Sequence, residues 1–257
     1  MKILAIGDVV SQQGCDYLRK ELPKLKKELG IDIVIANGEN SAVGNGVLPQ
    51  SANHILDSGV DVITLGNHSL KRKEIYNYLD DDNPIIRPAN YHSSAPGRGY
   101  MIIDKGYCQV AVINLQGTMF MDNIDNPFLI INNIIDTIKK QGIHNILIDY
   151  HAETTSEKRA MGFFLDGQVS AVFGTHTHVQ TSDNQILPNG TGYITDLGMT
   201  GPYYGVLGVN PECVIHKFRT NMPVRFTVDD GPCVLEGCLL EIDNSTGKTI
   251  NTQLIRR

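Results

Sequence analysis

The sequence predicts an α/β fold with a largely parallel sheet covered by helices. Two observations carry this. Through residues 1–80, apolar runs of strand length alternate with amphipathic runs of helical spacing, a β-α-β-α-β-α order. The apolar runs end in clusters of Asp, Glu, Asn or His, and in such sheets ligands gather beyond the carboxyl ends of the strands. A chain of 257 residues with 41% hydrophobic and 19% charged content has an ordinary globular composition and is long enough for one large domain over residues 1–257.

Residues 2–7 (KILAIG) form the first strand, with Asp8 at its end. Over 14–29, Tyr17, Leu18, Leu22, Leu25 and Leu29 recur at helical spacing and Gly30 stops the helix; Pro23 inside the pattern predicts a kink or two shorter helices. The second strand, 31–36, ends in Asn37-Gly38-Glu39-Asn40. After a Gly-rich loop come a helix over 50–57, a third strand over 60–66 ending in Asn67-His68, and a charged helix over 71–79. The acidic run 80–84 reads as a solvated turn, and 85–91 as a short strand with Arg87 and Asn90 near its end. Residues 99–104 and 108–115 read as a hairpin, which brings antiparallel members into the sheet. Pro127 suits the first turn of a helix reaching Lys140. The strand 145–150 delivers His151-Ala152-Glu153, and Thr154-Thr155-Ser156-Glu157 caps a helix to Leu165. The strand 169–173 runs into Thr175-His176-Thr177-His178, and 192–198 is a strand with its loop. The following 199–204 loop either lines a pocket or makes a subunit contact in a homo-oligomer. Beyond Pro211, ECVIHKFRT, PVRFTVDD, CVLEGCLLEID and TINTQLIRR alternate as antiparallel strands of the same domain.

A net charge of −6 gives no global attraction to nucleic acid or to an anionic membrane, and no basic stripe with interleaved aromatics appears. No run approaches membrane-spanning length, and Asp8 interrupts the opening too early for a signal peptide. Cys15, Cys108, Cys213, Cys233 and Cys238 are scattered without a C-x-x-C, which favours reduced thiols in a cytoplasm over a disulfide framework. A phosphorylated ligand would therefore need local groups or metal to meet its charge.

In an extended chain alternate side chains point the same way, so His176 and His178 leave the strand end as a natural pair of metal ligands. Taken singly, each candidate has a plainer reading. His-Thr-His can be a polar turn, Asp8 a helix N-cap, Asn40 and Asn67 turn residues, and His151 a satisfied strand-end histidine. Their joint occurrence with Glu39 favours the metal reading. Carboxylate, amide oxygen and imidazole are the ligand set of hard-to-borderline divalent ions such as iron, manganese or zinc. The set suffices for two ions, with Glu39 as the bridge because it emerges between the Asp8 and Asn67 loops. Two ions about 3.5–4 Å apart hold a hydroxide between them and neutralise charge on a transferring phosphoryl group. His54, His92, His144 and His216 lack this setting and read as surface or structural.

GDVV (7–10), NGEN (37–40), GNH (66–68), DYHAETTSEK (149–158), GTHTHVQT (174–181) and ITDLGMTGP (194–202) together resemble the YmdB-like branch of the calcineurin-like metallophosphoesterases over nearly the whole chain. The resemblance implies a sandwich of mixed β-sheets flanked by helices, with the active site at strand C-terminal ends. It implies a bacterial cytoplasmic phosphodiesterase acting on cyclic nucleotides, 2′,3′-cyclic AMP in particular. One ion would take Asp8, Glu39, Asn40 and His178, and the other Glu39, Asn67, His151 and His176, with iron foremost. His68 becomes the proton donor. The expected reaction is attack of a metal-bridging hydroxide on phosphorus, with Arg87 and Asn90 on the substrate side and His68 protonating the departing alkoxide. Asp8 is followed by Val-Val where the wider superfamily has D-x-H, and Asn40 substitutes for that missing ligand. Ser11-Gln12-Gln13 and Ser69-Leu70-Lys71 depart from the branch beside the site and bear on substrate preference. Two other classes stay open: a low-turnover metal-binding regulatory or scaffold protein, and a phosphomonoesterase or nuclease on other phosphate esters. The complete ligand set and the retained His68 weigh against the first.

Overall fold

Ile3, Ala5, Ile33 and Ile35 alternate with Leu4, Ile6, Val34 and Ala36, and all of them are buried. Strands apolar on both faces need a cover on each side. The computed structural model, which describes residues 1–257, supplies a second sheet on one side and helices on the other.

In chain order the elements are β1 (Lys2–Ile6), β2 (Asp8–Val9), α1 (Ser11–Leu29), β3 (Ile33–Asn37), α2 (Pro49–Asp57), β4 (Val62–Thr64), α3 (Tyr76–Asp80, led in by a 3-10 turn over Lys73–Ile75) and β5 (Ile85–Ile86). Then come β6 (Tyr100–Asp104), β7 (Gln109–Gln116), α4 (Pro127–Lys139), β8 (Asn145–His151), α5 (Thr155–Phe164) and β9 (Ala171–Thr175). The chain closes with β10 (Gln185–Ile186), β11 (Gly192–Ile194), β12 (Met199–Pro202), α6 (Pro211–Thr220), β13 (Cys233–Ile242) and β14 (Thr249–Arg256). One sheet runs β2-β12-β13-β1-β3-β4-β5, with β14 on β13; the other runs β10-β11-β9-β8-β7-β6. Both are mixed. β1, β3, β4 and β5 are mutually parallel and β13 lies antiparallel beside β1. β7, β8, β9 and β11 are parallel between antiparallel edges β6 and β10.

Three apolar layers result. Ile3, Ala5 and Ile35 meet Val112, Leu147 and Phe173 between the sheets. Leu4, Ile6 and Val34 pack under Leu18 and Leu22 of α1 and Ile55 of α2. Ile113 and Ile148 pack under Ile131 and Ile135 of α4 and Met161 of α5. A fully buried side chain of this kind contributes about 1.5–3 kcal/mol, so these layers hold the fold and fix the strand ends.

Four expectations are corrected. Pro23 lies inside one continuous helix; it is exposed, and so is Arg19, whose carbonyl Pro23 cannot serve. ECVIHKFRT is helical, because Asn210 accepts from the Glu212 amide as N-cap and Pro211 opens the first turn. PVRFTVDD forms no strand; a single β-bridge joins its Val228 to Val209. The 199–204 segment is not a plain loop: Met199–Pro202 pairs with both β2 and β13. CVLEGCLLEID and TINTQLIRR are the strands expected, and they extend the first sheet. All five cysteines are free, and no helix is long and apolar enough to cross a membrane.

Candidate metal centre

Because β1, β3 and β4 run parallel, Asp8, Glu39, Asn40, Asn67 and His68 leave one sheet at one end. β8 and β9 bring His151, His176 and His178 from the other sheet to the same place. Seven of the residues singled out from the sequence thereby form two donor groups. In the first, His151 Nε2 lies 3.1 Å from Glu39 Oε1, 3.0 Å from Asn67 Oδ1 and 3.0 Å from His176 Nδ1. In the second, His178 Nε2 lies 3.4 Å from Asp8 Oδ1 and 3.2 Å from Asn40 Nδ2, which in turn is 3.3 Å from Glu39 Oε1. Glu39 is common to both.

In the first group these spacings fit a cation better than hydrogen bonds alone; in the second, Asn40 Nδ2 donates to Glu39 Oε1, so Asn40 would serve a cation through Oδ1, which lies 3.0 Å from His68 Nδ1. Donors bound at about 2.1 Å around one ion stand roughly 3–3.5 Å from one another. A single ring nitrogen, His151 Nε2, faces three polar atoms yet can carry one proton. Asp8 Oδ1 is buried with no hydrogen-bond partner. Glu39, His151 and His176 alone bring their ligand atoms within 4.8 Å of one another.

The remaining nitrogen of each imidazole is anchored by an oxygen that can accept its proton. His151 Nδ1 is 2.9 Å from Thr175 Oγ1, which donates onward to Asp149 Oδ1 at 2.7 Å. His176 Nε2 is 3.0 Å from Glu153 Oε2, and His178 Nδ1 is 3.3 Å from the Leu207 carbonyl. Each ring is therefore oriented to present its inner nitrogen to the centre, as a lone pair once a cation displaces any proton there, the arrangement that orients metal-binding histidines. Glu153, Thr175 and Asp149 were not singled out from the sequence. Glu153 and Asp149 each stand two residues from His151, and that adjacency is the available signal.

His176 and His178 do not share a side through strand alternation, as the extended reading expects. β9 ends at Thr175, and both histidines take positive φ, 101° and 59°. The turn is pinned by Asp8 Oδ2, which accepts from the His176 amide at 3.0 Å, and by Asp196, which accepts from the amide and hydroxyl of Thr177 at 3.1 and 2.7 Å. Asp196 is itself held by buried Lys158 at 2.7 Å. The twist sends His176 to the first donor group and His178 to the second.

Electrostatics follow from burial. Burial opposes the charge of Glu39, yet His151 and His68 beside it hold its carboxyl well below the usual range. Burial likewise opposes charge on Asp8, and His178 and His151 outweigh it. Burial alone would push the His151 imidazole down, but Glu39, Asp8 and Asp149 raise it to about 9. Burial and the neighbouring His151 push His176 down to about 4, so it stays neutral. The centre already draws in a positive charge, which a divalent cation would supply in place of the proton.

His68 stands at the rim. Its amide donates to Glu39 Oε2 at 2.8 Å, and its Nδ1 is 3.0 Å from Asn40 Oδ1 and 3.2 Å from Glu39 Oε1. Nε2 is left for the cavity, which His68 lines. Gly66 just before it is required by close approach, since a Cβ there would fall 2.2 Å from the His151 ring. Arg87 and Asn90 do not join the site. The Arg87 guanidinium donates to the carbonyls of Pro88, Ala95 and Pro96, and Asn90 ties Gln116 to Asp125, so both fasten loops. Neither lines the cavity above the centre, and no other Arg or Lys does.

The family description "YmdB-like protein" matches residues 4–255. The chain is 47% identical to the 2′,3′-cyclic-nucleotide 2′-phosphodiesterase of Bacillus subtilis (strain 168), over 99% of this chain and 96% of that one. A crystal structure of a phosphatase from Mycoplasma pneumoniae superposes with a TM-score of 0.94 at 34% identity, covering 100% of this chain and 93% of that one. A crystal structure of a protein from Thermus thermophilus does so with a TM-score of 0.93 at 36% identity, covering 100% and 99%. The sandwich expected from the sequence is the metallophosphoesterase fold of these neighbours, a fold that implies divalent metal, and the chain is a hydrolase of phosphoester bonds. Strand-end donors, shared architecture and a match from end to end agree: the chain belongs to the YmdB-like family.

Proposed function

We propose that the protein is a dinuclear-metal phosphodiesterase that hydrolyses cyclic nucleotides, 2′,3′-cyclic AMP first among them. The observation that carries this reading is the anchoring of all three imidazoles by an outer oxygen partner around a shared, fully buried Glu39. Asp8, Asn40 and His178 with Glu39 would hold one ion, and Asn67, His151 and His176 with Glu39 the other. Iron is the first expectation, with manganese and zinc compatible with the same donors. When bound, such ions polarise phosphoryl oxygens and lower the pKa of water.

The chain's own residues do the rest. With no Arg or Lys on the cavity, an anionic diester has no other source of positive charge. The phosphate would therefore be drawn to the ions that the donor groups hold and not to the walls. His68 Nδ1 donates to Asn40 and Glu39, which locks the ring and leaves Nε2 to give a proton to the departing ribose oxygen. Glu153 holds the Nε2 proton of His176 and keeps Nδ1 turned inward. The substrate name borne by the Bacillus subtilis relative supports the choice of cyclic nucleotide. The decisive experiment pairs metal analysis of the purified protein with a hydrolysis screen of 2′,3′- and 3′,5′-cyclic nucleotides, bis-p-nitrophenyl phosphate and phosphomonoesters. About two ions per chain and turnover of 2′,3′-cyclic AMP are expected. Metal without diester turnover would favour the scaffold reading, and monoester turnover alone would make the protein a phosphatase.

A further inference from the structure

The cavity above the donor groups has two unlike sides. Glu39, Asn40, His68, Glu153, His176 and His178 form its floor. The apolar part of the lining is Leu207, Val209, Phe226 and Val228, with Val10 and Ala42. This apolar side is a built surface. Val209 bridges to Val206 and to Val228, the Asn210 amide donates to the Thr227 carbonyl at 2.9 Å, and the Asp229 amide donates to the Gly208 carbonyl at 3.0 Å. Leu207 holds a φ of 55°, a region that side chains with a Cβ rarely adopt. Its carbonyl accepts from His178 Nδ1 at 3.3 Å, which ties the wall to a donor of the centre. Phe226 is the aromatic ring on this wall and is 46% exposed. Lys217, which does not line the cavity, holds its ammonium 5.1 Å from that ring's centroid.

We propose that Phe226 and the aliphatic side chains of the 206–228 wall form a nucleobase platform, which takes the base of a nucleotide whose phosphodiester lies on the floor. The proposal rests on the phosphodiesterase reading and names the part of the substrate that the donor groups leave unaddressed. A wall with an aromatic ring, three aliphatic side chains and no cation lining the cavity suits a flat, weakly polar group. The cavity, about 360 Å³, falls in the range of small-molecule sites, about 300–1,000 Å³. Stacking on a ring tolerates any base, since every base has a π-face. The platform therefore separates nucleotides from baseless esters and discriminates little among bases.

The test compares 2′,3′-cyclic AMP with methyl riboside 2,3-cyclic phosphate, which keeps the ester ring and lacks the base. Metal-loaded wild type, Phe226→Ala, Phe226→Leu and Phe226→Tyr are assayed. For the nucleotide, Phe226→Ala raises KM about tenfold with kcat held within about twofold; Phe226→Leu moves the same way by less, and Phe226→Tyr behaves as wild type. For the baseless ester none of the three changes KM. No effect on the nucleotide, or equal effects on both substrates, overturns the platform. Calorimetry of adenosine 3′-monophosphate against ribose 3-phosphate reads the platform without turnover. Base-dependent binding that Phe226→Ala abolishes supports it even where neither ester is hydrolysed, a result that would sink the phosphodiesterase reading alone. Equal binding of the two monophosphates by wild type overturns the platform.

Discussion

Asp8, Glu39 and His151, donors at and beneath the floor of the cavity, are fully buried, whereas Leu207 and Phe226 on its wall are 45% and 46% exposed. The floor is the meeting point of two sheets whose strands are apolar on both faces, so its side chains are located by the core itself. The wall hangs on a few backbone hydrogen bonds, and α6 behind it buries Val214 alone. Chemistry that needs donors held to a few tenths of an ångström sits where packing is dense. Recognition of a variable group sits where packing is sparse. Substitutions on the floor should therefore abolish function, and those on the wall should tune it or do nothing.

Glu39→Gln tests the floor most severely. The substitution keeps the shape and removes the one charge shared by both donor groups. Even partners outside the ligand sphere cost about 10–100-fold in metal affinity, so a shared ligand costs more, and hydrolysis falls to the uncatalysed background with loss of bound metal. Elemental analysis and a diester assay check it. A variant that kept its metal and rate would separate Glu39 from the centre.

His68→Ala asks whether the rim belongs with the floor. The backbone amide that donates to Glu39 survives the change, so metal content holds. Turnover of 2′,3′-cyclic AMP drops about 10²–10⁴-fold, the usual worth of a positioned proton donor. With bis-p-nitrophenyl phosphate, whose leaving group needs no proton, the drop is far smaller. Equal losses on both substrates would take proton donation away from His68.

The next effect is smaller and reads the electrostatics of the floor. In the metal-free protein His151 keeps its proton up to about 9 against an ordinary 6.5. That proton stabilises the metal-free fold: the contribution is complete below pH 6.5 and is lost as pH rises through about 9. A cation in the same place must displace the proton. Apparent metal affinity therefore climbs about tenfold per pH unit from 6.5 toward 9 and then levels, while the melting temperature of chelated protein falls over that window. Calorimetric titration and thermal unfolding with and without chelator follow the two curves. A flat affinity would place the metal elsewhere.

The same contrast explains what could be read from the sequence. Floor residues were legible because each sits at the end of an apolar run, and strand ends in parallel sheets converge whichever sheet they belong to. The division into two sheets was not legible from alternation, since Ile3 and Leu4 are equally buried on opposite faces. The twist at His176 and His178 depends on Asp8, Asp196 and Lys158, partners from 19 to 168 residues away that no local pattern announces. On the wall, alternating apolar residues in ECVIHKFRT suggest a strand, while Asn210-Pro211 carries the helix start. Arg87 looks substrate-facing by position, yet neighbouring carbonyls take its donors.

Phe218→Ser is the mildest change and defines the outer limit of the wall. Phe218 lies on α6 and is 78% exposed, and Ile215 and Met222 near it are 53% and 58% exposed. Surface substitutions that touch no cap, charge pair or core usually stay within about 0.5 kcal/mol. The variant should keep the wild-type melting temperature, kcat and KM, in contrast to Phe226→Ala a short distance along the chain. Thermal unfolding and analytical ultracentrifugation read the result. A loss of several degrees together with a smaller sedimenting species would mean that a second copy covers this face, and that the wall, like the floor, is held by packing that a single chain does not display.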